Sequence, residues 1–393
     1  MNVYADNAAT TAVSEAAVQA MLPYFTTAYG NPSSVHAKGQ EAASALDHAR
    51  EALAAHLHAS PHEIYFTSGG TEADNWALEI AATIGEKKGK KHIISSRFEH
   101  HGILHPLQKW EKRGFSVTLL EVHEDGLVRP DELAEAIRED TCLVTIMAAN
   151  NEIGTVQPWA ELGRICREKG VLFHTDAVQA VGHLEIDVQA QNIDMLSLSA
   201  HKFHGPKGVG ALYCRKGIPL SIFIEGGAQE RGKRGGTENL PSIAGMVAAL
   251  DEACRTMQQN NLKVSAMRDR LIAALTAIPR SRLNGDAANR LPGIVNCCFE
   301  GIEGEALLLM LDMAGICASS GSACTSGSLD PSHVLLALGL PHAIAHGSLR
   351  LSLSEANTEE EIDYIIEKLP PIIHKLREMS PMWEHIQNGE QVL

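Results

Sequence analysis

The sequence lacks the segments that direct a protein into or across a membrane. Its start, residues 1–6, has neither the basic nor the apolar segment of a secretory signal. No uninterrupted apolar run approaches the roughly 20 residues that a membrane-spanning helix needs. We therefore expect a cytoplasmic protein with no membrane partner.

Basic charge is also scarce, and a CxxC pair of cysteines is absent. The 33 Lys and Arg against 48 Asp and Glu give a formal charge of −15, which opposes nonspecific attraction to nucleic-acid phosphates. We expect no direct nucleic-acid partner. The eight cysteines include no CxxC pair and are scattered through a large chain. They indicate reduced thiols rather than a disulfide framework or a thiolate zinc site, and we expect no metal in the reaction.

Short β-rich runs alternate with helical stretches from about residue 60 onward, which predicts the α/β class with parallel βαβ units. Seven such runs suit one large, mainly parallel sheet between helices. They cover residues 63–67, 92–95, 116–120, 142–147, 171–174, 195–198 and 210–213. Helices are predicted at residues 39–57, from 71 onward, at 131–139 and at about 241–277.

The last third of the chain has a different pattern. Strands at residues 293–299 and 348–352 and helices at 305–314 and 359–379 predict a smaller α+β unit. With 393 residues the chain is long enough for two domains. We expect a large domain of residues 14–257, and a small domain of residues 1–13 and 258–393 that carries a loop at about 318–330.

The first strand of the predicted sheet is followed by Ser68-Gly-Gly-Thr71. Open α/β sheets bind ligands outside the carboxyl ends of their strands. The glycines permit close backbone approach, and the N–H groups at a helix start suit a phosphate. Taken alone, the same run is also typical of an ordinary capped turn between a strand and a helix.

Other strand ends also carry polar side chains. His100 follows the second strand, Asn151 follows the fourth, and Asp176 and Gln179 follow the fifth with the spacing of one helical turn. The histidine could act as an acid–base group or lie on the surface. Asp176 could serve a bound ring or cap a helix.

The run Ser199-Ala-His201-Lys202 places a lysine soon after the end of a strand that is predicted to be buried. Such a lysine can have a lowered pKa and bond covalently to an aldehyde. Together with a phosphate cradle and an aspartate suited to a pyridinium nitrogen, it points to pyridoxal 5′-phosphate as the cofactor.

Cys324 lies in the run Ser319-Ser-Gly-Ser-Ala-Cys324-Thr-Ser-Gly, among small and flexible residues. A structural cysteine usually sits among branched apolar residues, whereas a reactive thiol needs exposure. Taken alone, the segment fits either a reactive thiol or a surface loop that happens to carry a cysteine.

These motifs, in this order, resemble the cysteine desulfurases of the NifS-like group, within the class V aminotransferases of fold-type I. The similarity covers nearly the whole chain. It includes Tyr4-Ala-Asp6-Asn-Ala-Ala-Thr-Thr11, Gly30-Asn-Pro-Ser-Ser-Val-His36, Arg231-Gly-Lys-Arg-Gly-Gly-Thr237 and Ser348-Leu-Arg350-Leu-Ser352.

The resemblance implies a role for each matching residue. Lys202, Cys324 and His100 would be catalytic, with Lys202 binding the cofactor aldehyde and Cys324 holding sulfur as a persulfide. Arg350 and Asn151 would bind the substrate. Cofactor contacts would come from Gly70, Thr71, His100, Asn151, Asp176, Gln179, Ser199, His201, Lys202 and, from the second subunit of a homodimer, Thr237.

The implied reaction converts L-cysteine to L-alanine and passes sulfur to an acceptor, such as an iron–sulfur scaffold or a tRNA-thiolation protein. Selenocysteine lyase or aminotransferase activity would use the same cofactor residues. A noncatalytic sulfur-carrier or assembly subunit is the alternative outside enzymes, and it would not need the set of Lys202, Asp176 and His100.

Overall fold

A seven-stranded sheet organises the larger part of the molecule. The structure is a computed structural model and describes residues 1–320 and 331–387. The strands of all its sheets together are β1 Val3–Tyr4, β2 Ile64–Thr67, β3 His92–Ser96, β4 Ser116–Leu120, β5 Thr141–Thr145, β6 Leu172–Asp176, β7 Met195–Ser199, β8 Gly210–Cys214, β9 Ser281–Leu283, β10 Ile294–Phe299, β11 Ile316–Cys317 and β12 Ser348–Ser352.

Helices cover both faces of this sheet and fill most of the remaining chain. They are α1 Glu15–Met21, α2 Pro23–Thr26, α3 Ala37–His56, α4 Gly70–Lys88, α5 His101–Lys112, α6 Pro130–Ala136, α7 Trp159–Lys169, α8 Gln229–Gly232, α9 Leu240–Thr276, α10 Gly304–Met313, α11 His333–Ala337, α12 His342–Ala345, α13 Glu359–Met379 and α14 Pro381–Gln387.

The strand order of the large sheet is β2-β8-β7-β6-β5-β3-β4. All neighbouring pairs from β7 to β4 are parallel, and only β8 runs antiparallel to its two neighbours. The predicted seven-stranded, mainly parallel sheet is therefore confirmed. Because β5, β6 and β7 run the same way, their carboxyl ends meet at one edge, where α/β proteins place ligands.

Both faces of the sheet are buried, which explains the nearly continuous apolar strands. Leu143 belongs to the core that α4 and α5 cover, whereas the next residue, Val144, belongs to the core formed with α3, α7 and α9. Fully burying a side chain of this size contributes roughly 1.5–3 kcal/mol. Because consecutive strand residues point to opposite faces in this way, helices are packed on both sides of the sheet.

A second core lies around a three-stranded antiparallel sheet of order β12-β10-β9. Helices α10 and α13 pack against it with Leu307, Leu311, Ile362 and Ile365. Helix α9 joins the two parts, because its first half contributes to the large core and its second half to this one.

The first residues of the chain cross from one part to the other. Strand β1 pairs with β11, and Asp6 forms a bridge to Ser352 at the end of β12. The next residues reach the carboxyl edge of the large sheet, since Thr11 N–H donates to the carbonyl of His201. Across the described part of the chain, no helix is both long and apolar enough to span a bilayer.

Candidate active site

A cavity of about 290 Å³ opens at the carboxyl ends of β5, β6 and β7. Its volume lies near the lower end of the roughly 300–1,000 Å³ that small-molecule sites occupy. The predicted site residues that line it are Gly70, Thr71, His100, Asn151, Asp176, Gln179, Ser199, His201, Lys202 and Arg350. Residues that are up to 280 positions apart in the sequence thus share one cavity.

Two predicted site residues are not in this cavity lining. Thr237 is exposed and lies outside the wall. Cys324 falls outside the described residues, as does most of the predicted loop at about 318–330.

Lys202 ends a 3₁₀ turn that directly follows β7. Its Nζ donates to the carbonyl oxygens of Ala8 and Ala9, at 2.6 and 2.9 Å. These carbonyls come from the N-terminal segment, so the first residues of the chain position the amine inside the cavity. The sequence predicted the lysine but not the source of its acceptors.

Asp176 is the last residue of β6 and is 5% exposed. One oxygen, Oδ1, accepts from the Val178 N–H at 2.9 Å. Burial raises the pKa of Asp176, while the nearby His100 and Lys202 oppose that rise. The segment that follows is a turn rather than the expected helical turn, yet Gln179 still lines the cavity and donates to the Ala8 carbonyl at 3.0 Å.

Helix α4 begins at the cavity wall with Gly70, and no side chain caps its start. Its first N–H groups carry the positive end of the helix dipole, so they can bind an anion. A Cβ on Gly70 would lie 2.4 Å from Val178 Cγ2, so any other residue at this position would have to displace Val178. This geometry favours the anion-binding interpretation of Ser68-Gly-Gly-Thr71 over the ordinary turn.

Ser199 and His201 border the same corner of the cavity as Thr71. The imidazole Nδ1 of His201 lies 3.1 Å from Thr10 Oγ1. Burial, with the positive charges of Lys202 and Lys207, lowers the pKa of His201 to about 4. His201 is therefore neutral at pH 7 and acts there as a hydrogen-bonding group rather than as a charge.

His100 is the N-cap residue of α5, and its Nδ1 accepts from the Gly102 N–H at 3.0 Å. A neutral imidazole with Nδ1 as acceptor carries its proton on Nε2. His100 can therefore move a proton through Nε2 while Nδ1 keeps the ring in place.

Arg350 lies in β12 and is only 2% exposed. Nη2 contacts Asp6 Oδ1 at 2.8 Å, Nη1 donates to the Asn151 carbonyl at 2.9 Å, and Nε has no hydrogen-bond partner. A buried guanidinium with remaining donors is suited to bind a carboxylate in a bidentate manner.

Two buried carboxyl groups near the cavity had no predicted role. Glu99 accepts from the Met147 N–H at 3.0 Å, and burial raises its pKa to about 8. Asp74 lines the cavity, and its Oδ1 has no hydrogen-bond partner. The only sequence signal for Asp74 is its position three residues after Thr71, which places both side chains on one face of α4.

Asp6 was also without a predicted role, although it lies in one of the quoted motifs. Its pairing with Arg350 joins residues 344 positions apart, which no local pattern indicates. Within residues 1–320 and 331–387 there is no cluster of three or more His, Cys, Asp or Glu side chains arranged to hold a metal.

Known proteins are similar to this chain over most of its length. The family model described as aminotransferase class-V matches residues 3–365. The chain is 54% identical, over 99% of each sequence, to a protein of Clostridium botulinum named cysteine desulfurase IscS. It is also similar to a solved NifS-like protein, with a TM-score of 0.90, 39% identity and coverage of 96% of this chain and 100% of that one. A structure of SspA in complex with cysteine matches with a TM-score of 0.78, 36% identity and coverage of 91% and 100%.

Proposed function

The chain belongs to the class V aminotransferase family and is a cysteine desulfurase, and on that basis we propose how its residues carry out the reaction. L-cysteine and the thiol of Cys324 are converted to L-alanine and a persulfide on Cys324. The sulfur–carbon bond of the substrate breaks and a sulfur–sulfur bond forms, so no external oxidant is needed. The observation that carries this proposal is the shared cavity of Lys202, Asp176 and Arg350.

Proteins of this family depend in general on pyridoxal phosphate, and we propose that it is the cofactor of this chain. The uncapped start of α4, with Gly70, Thr71, Ser199 and His201, would hold its phosphate. Asp176 would face the ring nitrogen of the cofactor. Gln179 and Asn151 would contact the polar edge of the ring, and His100 would lie against the ring itself. When bound, this group supplies an aldehyde for Lys202 and an electron sink for the substrate α-carbon.

Arg350 would bind the carboxylate of L-cysteine and thereby orient the amino acid. Its guanidinium is held by Asp6 and the Asn151 carbonyl, so the remaining donors keep a fixed direction. The charge-assisted bidentate contact favours an α-amino acid over an amine that lacks the carboxylate. Asn151 would complete this end of the substrate site.

Lys202 and His100 would move the protons of the reaction. The amine of Lys202 would take the α-proton, since the Ala8 and Ala9 carbonyls hold Nζ within the cavity. His100 would return or remove a proton through Nε2, because Nδ1 is engaged with the Gly102 N–H. Cys324 would accept the sulfur, and as a thiolate it would be the nucleophile.

We further propose a homodimer that works in the cytoplasm, in which Thr237 of one subunit reaches the phosphate site of the other. Its exposure, away from the cavity of its own chain, supports this arrangement. A sulfur-acceptor protein, such as an iron–sulfur scaffold or a tRNA-thiolation protein, would take the persulfide sulfur from Cys324.

Replacing the proposed sulfur-accepting thiol tests the reaction. Cys324→Ser should bind pyridoxal phosphate with an unchanged absorbance band, yet lose at least about a hundredfold in the release of alanine and sulfide from cysteine, because its hydroxyl cannot replace a thiolate nucleophile. The matched control is Cys317→Ser, which removes an exposed thiol from β11 and should keep full activity. Full activity of Cys324→Ser would contradict the assignment, and a keto acid in place of alanine would indicate an aminotransferase.

A further inference from the structure

Asp74 is a buried carboxyl group in the wall of the cavity, and nothing described so far uses it. It lies in the second turn of α4 and is 1% exposed. Its Oδ1 has no hydrogen-bond partner. A carboxyl group that is buried without a partner for one oxygen is costly, so its presence at a ligand-binding wall calls for a physical role.

A row of hydrogen-bonded polar side chains leads to Asp74 along the face of the sheet that α4 covers. Thr145 Oγ1 lies 2.8 Å from His174 Nδ1, and His174 Nε2 lies 3.0 Å from Ser197 Oγ. These three residues sit side by side on β5, β6 and β7, and each is fully buried. His174 Nε2 is also 3.8 Å from Asp74 Oδ1. These hydrogen-bonded side chains determine the surroundings of Asp74 without giving it a direct charged partner.

The charges around Asp74 oppose its ionisation. Burial raises the pKa of Asp74 well above its ordinary value, and the neighbouring carboxylate of Asp176 adds to the rise, while the hydrogen bond from Ser197 opposes it. Burial also lowers the pKa of His174 to about 3, so that imidazole offers no positive charge. The positive group of this region, Lys202, acts instead on Asp176, where it opposes the rise in pKa that burial causes.

Asp74 and Asp176 thus line the same buried wall, and of the two only Asp176 has a positively charged neighbour, Lys202. Like charges at close range in a dry site do not both ionise. The proton is therefore expected on Asp74 and the charge on Asp176.

We propose that Asp74 is a positioning residue for the cofactor ring, a carboxyl group that stays protonated so that Asp176 alone is ionised and faces the ring nitrogen. The inference rests on the proposed function, because it assigns the charge of Asp176 to a bound pyridine ring. It adds a residue that sets which of the two carboxyl groups carries that charge.

Infrared spectroscopy of the full-length protein before cofactor is added tests the protonation directly. At neutral pH, Asp74→Asn should remove one protonated-carboxyl C=O band from the spectrum, whereas Asp176→Asn should remove none. Glu99→Gln serves as the matched control and should remove a different band, since Glu99 is also buried and its pKa is raised. A spectrum of Asp74→Asn that keeps every protonated-carboxyl band would overturn the proposal.

Cofactor titration tests the positioning role. Asp74→Asn, a neutral isostere, should bind pyridoxal phosphate within about twofold of the unaltered chain, whereas Asp74→Ala should bind about tenfold more weakly and shift the pH midpoint of the bound cofactor's absorbance. Circular dichroism establishes that each variant is folded. Weakening by Asp74→Asn as severe as that by Asp176→Asn would show that Asp74 carries charge, and an unchanged Asp74→Ala would show that it positions nothing.

The two experiments separate this inference from the proposed function. If the unaltered chain does not bind pyridoxal phosphate at all, the proposed function fails, while the infrared spectra still report whether Asp74 is protonated. If the unaltered chain binds the cofactor and the Asp74 variants behave otherwise than expected, only the inference fails.

Discussion

Arg350 shows how a single side chain depends on contacts made by remote residues. Its guanidinium is nearly fully buried, yet it is neutralised by Asp6 and bound by the Asn151 carbonyl, which lie in different segments. Removing such a group affects both folding and substrate binding, because its partners are then left without a hydrogen bond. A conservative replacement is therefore the informative one.

Arg350→Lys should raise the KM for L-cysteine by about tenfold or more, because an ammonium group cannot form the bidentate contact with a carboxylate. Steady-state kinetics measure the change, and the absorbance of the bound cofactor should stay the same. Arg268→Lys is the matched control, since Arg268 is also buried but donates to the Leu291 carbonyl outside the cavity lining. An unaltered KM for Arg350→Lys would remove Arg350 from the substrate site.

Helix α4 links the sheet to the proposed phosphate site. It begins without a side-chain cap at Gly69, and it ends at Gly89, which adopts φ of +70° and closes the helix in a left-handed conformation. Gly70 packs directly against Val178 in the turn after β6. The two segments therefore hold the proposed phosphate site and the proposed ring-nitrogen site at a fixed separation.

Gly70→Ala should weaken the binding of pyridoxal phosphate by about tenfold or more, because the new Cβ must displace Val178 and with it the start of α4. Equilibrium titration of the cofactor measures the loss. The double variant Gly70→Ala with Val178→Ala should recover much of the affinity, since the second change removes the colliding methyl group. Equal affinities of the single and double variants would contradict the steric explanation.

At the scale of the whole molecule, two cores share one long helix. The first half of α9 packs on the large sheet, and the second half packs in the core of β10, β12 and α13. We propose that these cores correspond to the two predicted domains, with boundaries at residues 13/14 and 257/258. A further link between them is the ion pair of His204 and Glu355, whose Nε2 and Oε1 atoms are 3.2 Å apart. His204 lies two residues after Lys202 in the sequence.

The His204–Glu355 pair should make stability depend on pH. His204 lowers the pKa of Glu355 to about 2. The ionised Glu355 therefore contributes to the free energy of unfolding above pH 4.5, and this contribution is lost as the pH falls toward 2. Burial lowers the pKa of His204, but Glu355 outweighs this and raises it above 6.5. The His204 contribution is therefore complete below pH 6.5 and is lost as the pH rises through the raised value.

Glu355→Gln should consequently lower the thermal unfolding midpoint most at about pH 5.5, by roughly a few degrees, and by less at pH 9. Differential scanning calorimetry at the two pH values measures the difference. Glu378→Gln is the matched control, because Glu378 pairs with His374 on the surface, where such a pair contributes little. A loss of stability that is equal at both pH values would contradict the charge-based explanation.

The sequence by itself determined the large sheet and most of the candidate site. All seven predicted strands of the large sheet occur, because their buried apolar runs and the turns between them are local properties. Lys202 and Asp176 were predicted as site residues because each lies close to the carboxyl end of a predicted strand. The short pairing of β1 with β11 went unpredicted, since two-residue strands leave no local pattern.

Only the tertiary structure decided which groups surround those residues. The Ala8 and Ala9 carbonyls reach Lys202 across more than 190 positions, and Asp6 reaches Arg350 across 344. Such contacts follow from how the N-terminal segment packs between the two cores, and backbone carbonyls carry no side-chain signal. Likewise, the proposed protonation of Asp74 depends on its burial and on the nearby Asp176, and both exist only once α4 has packed against β6 and β7.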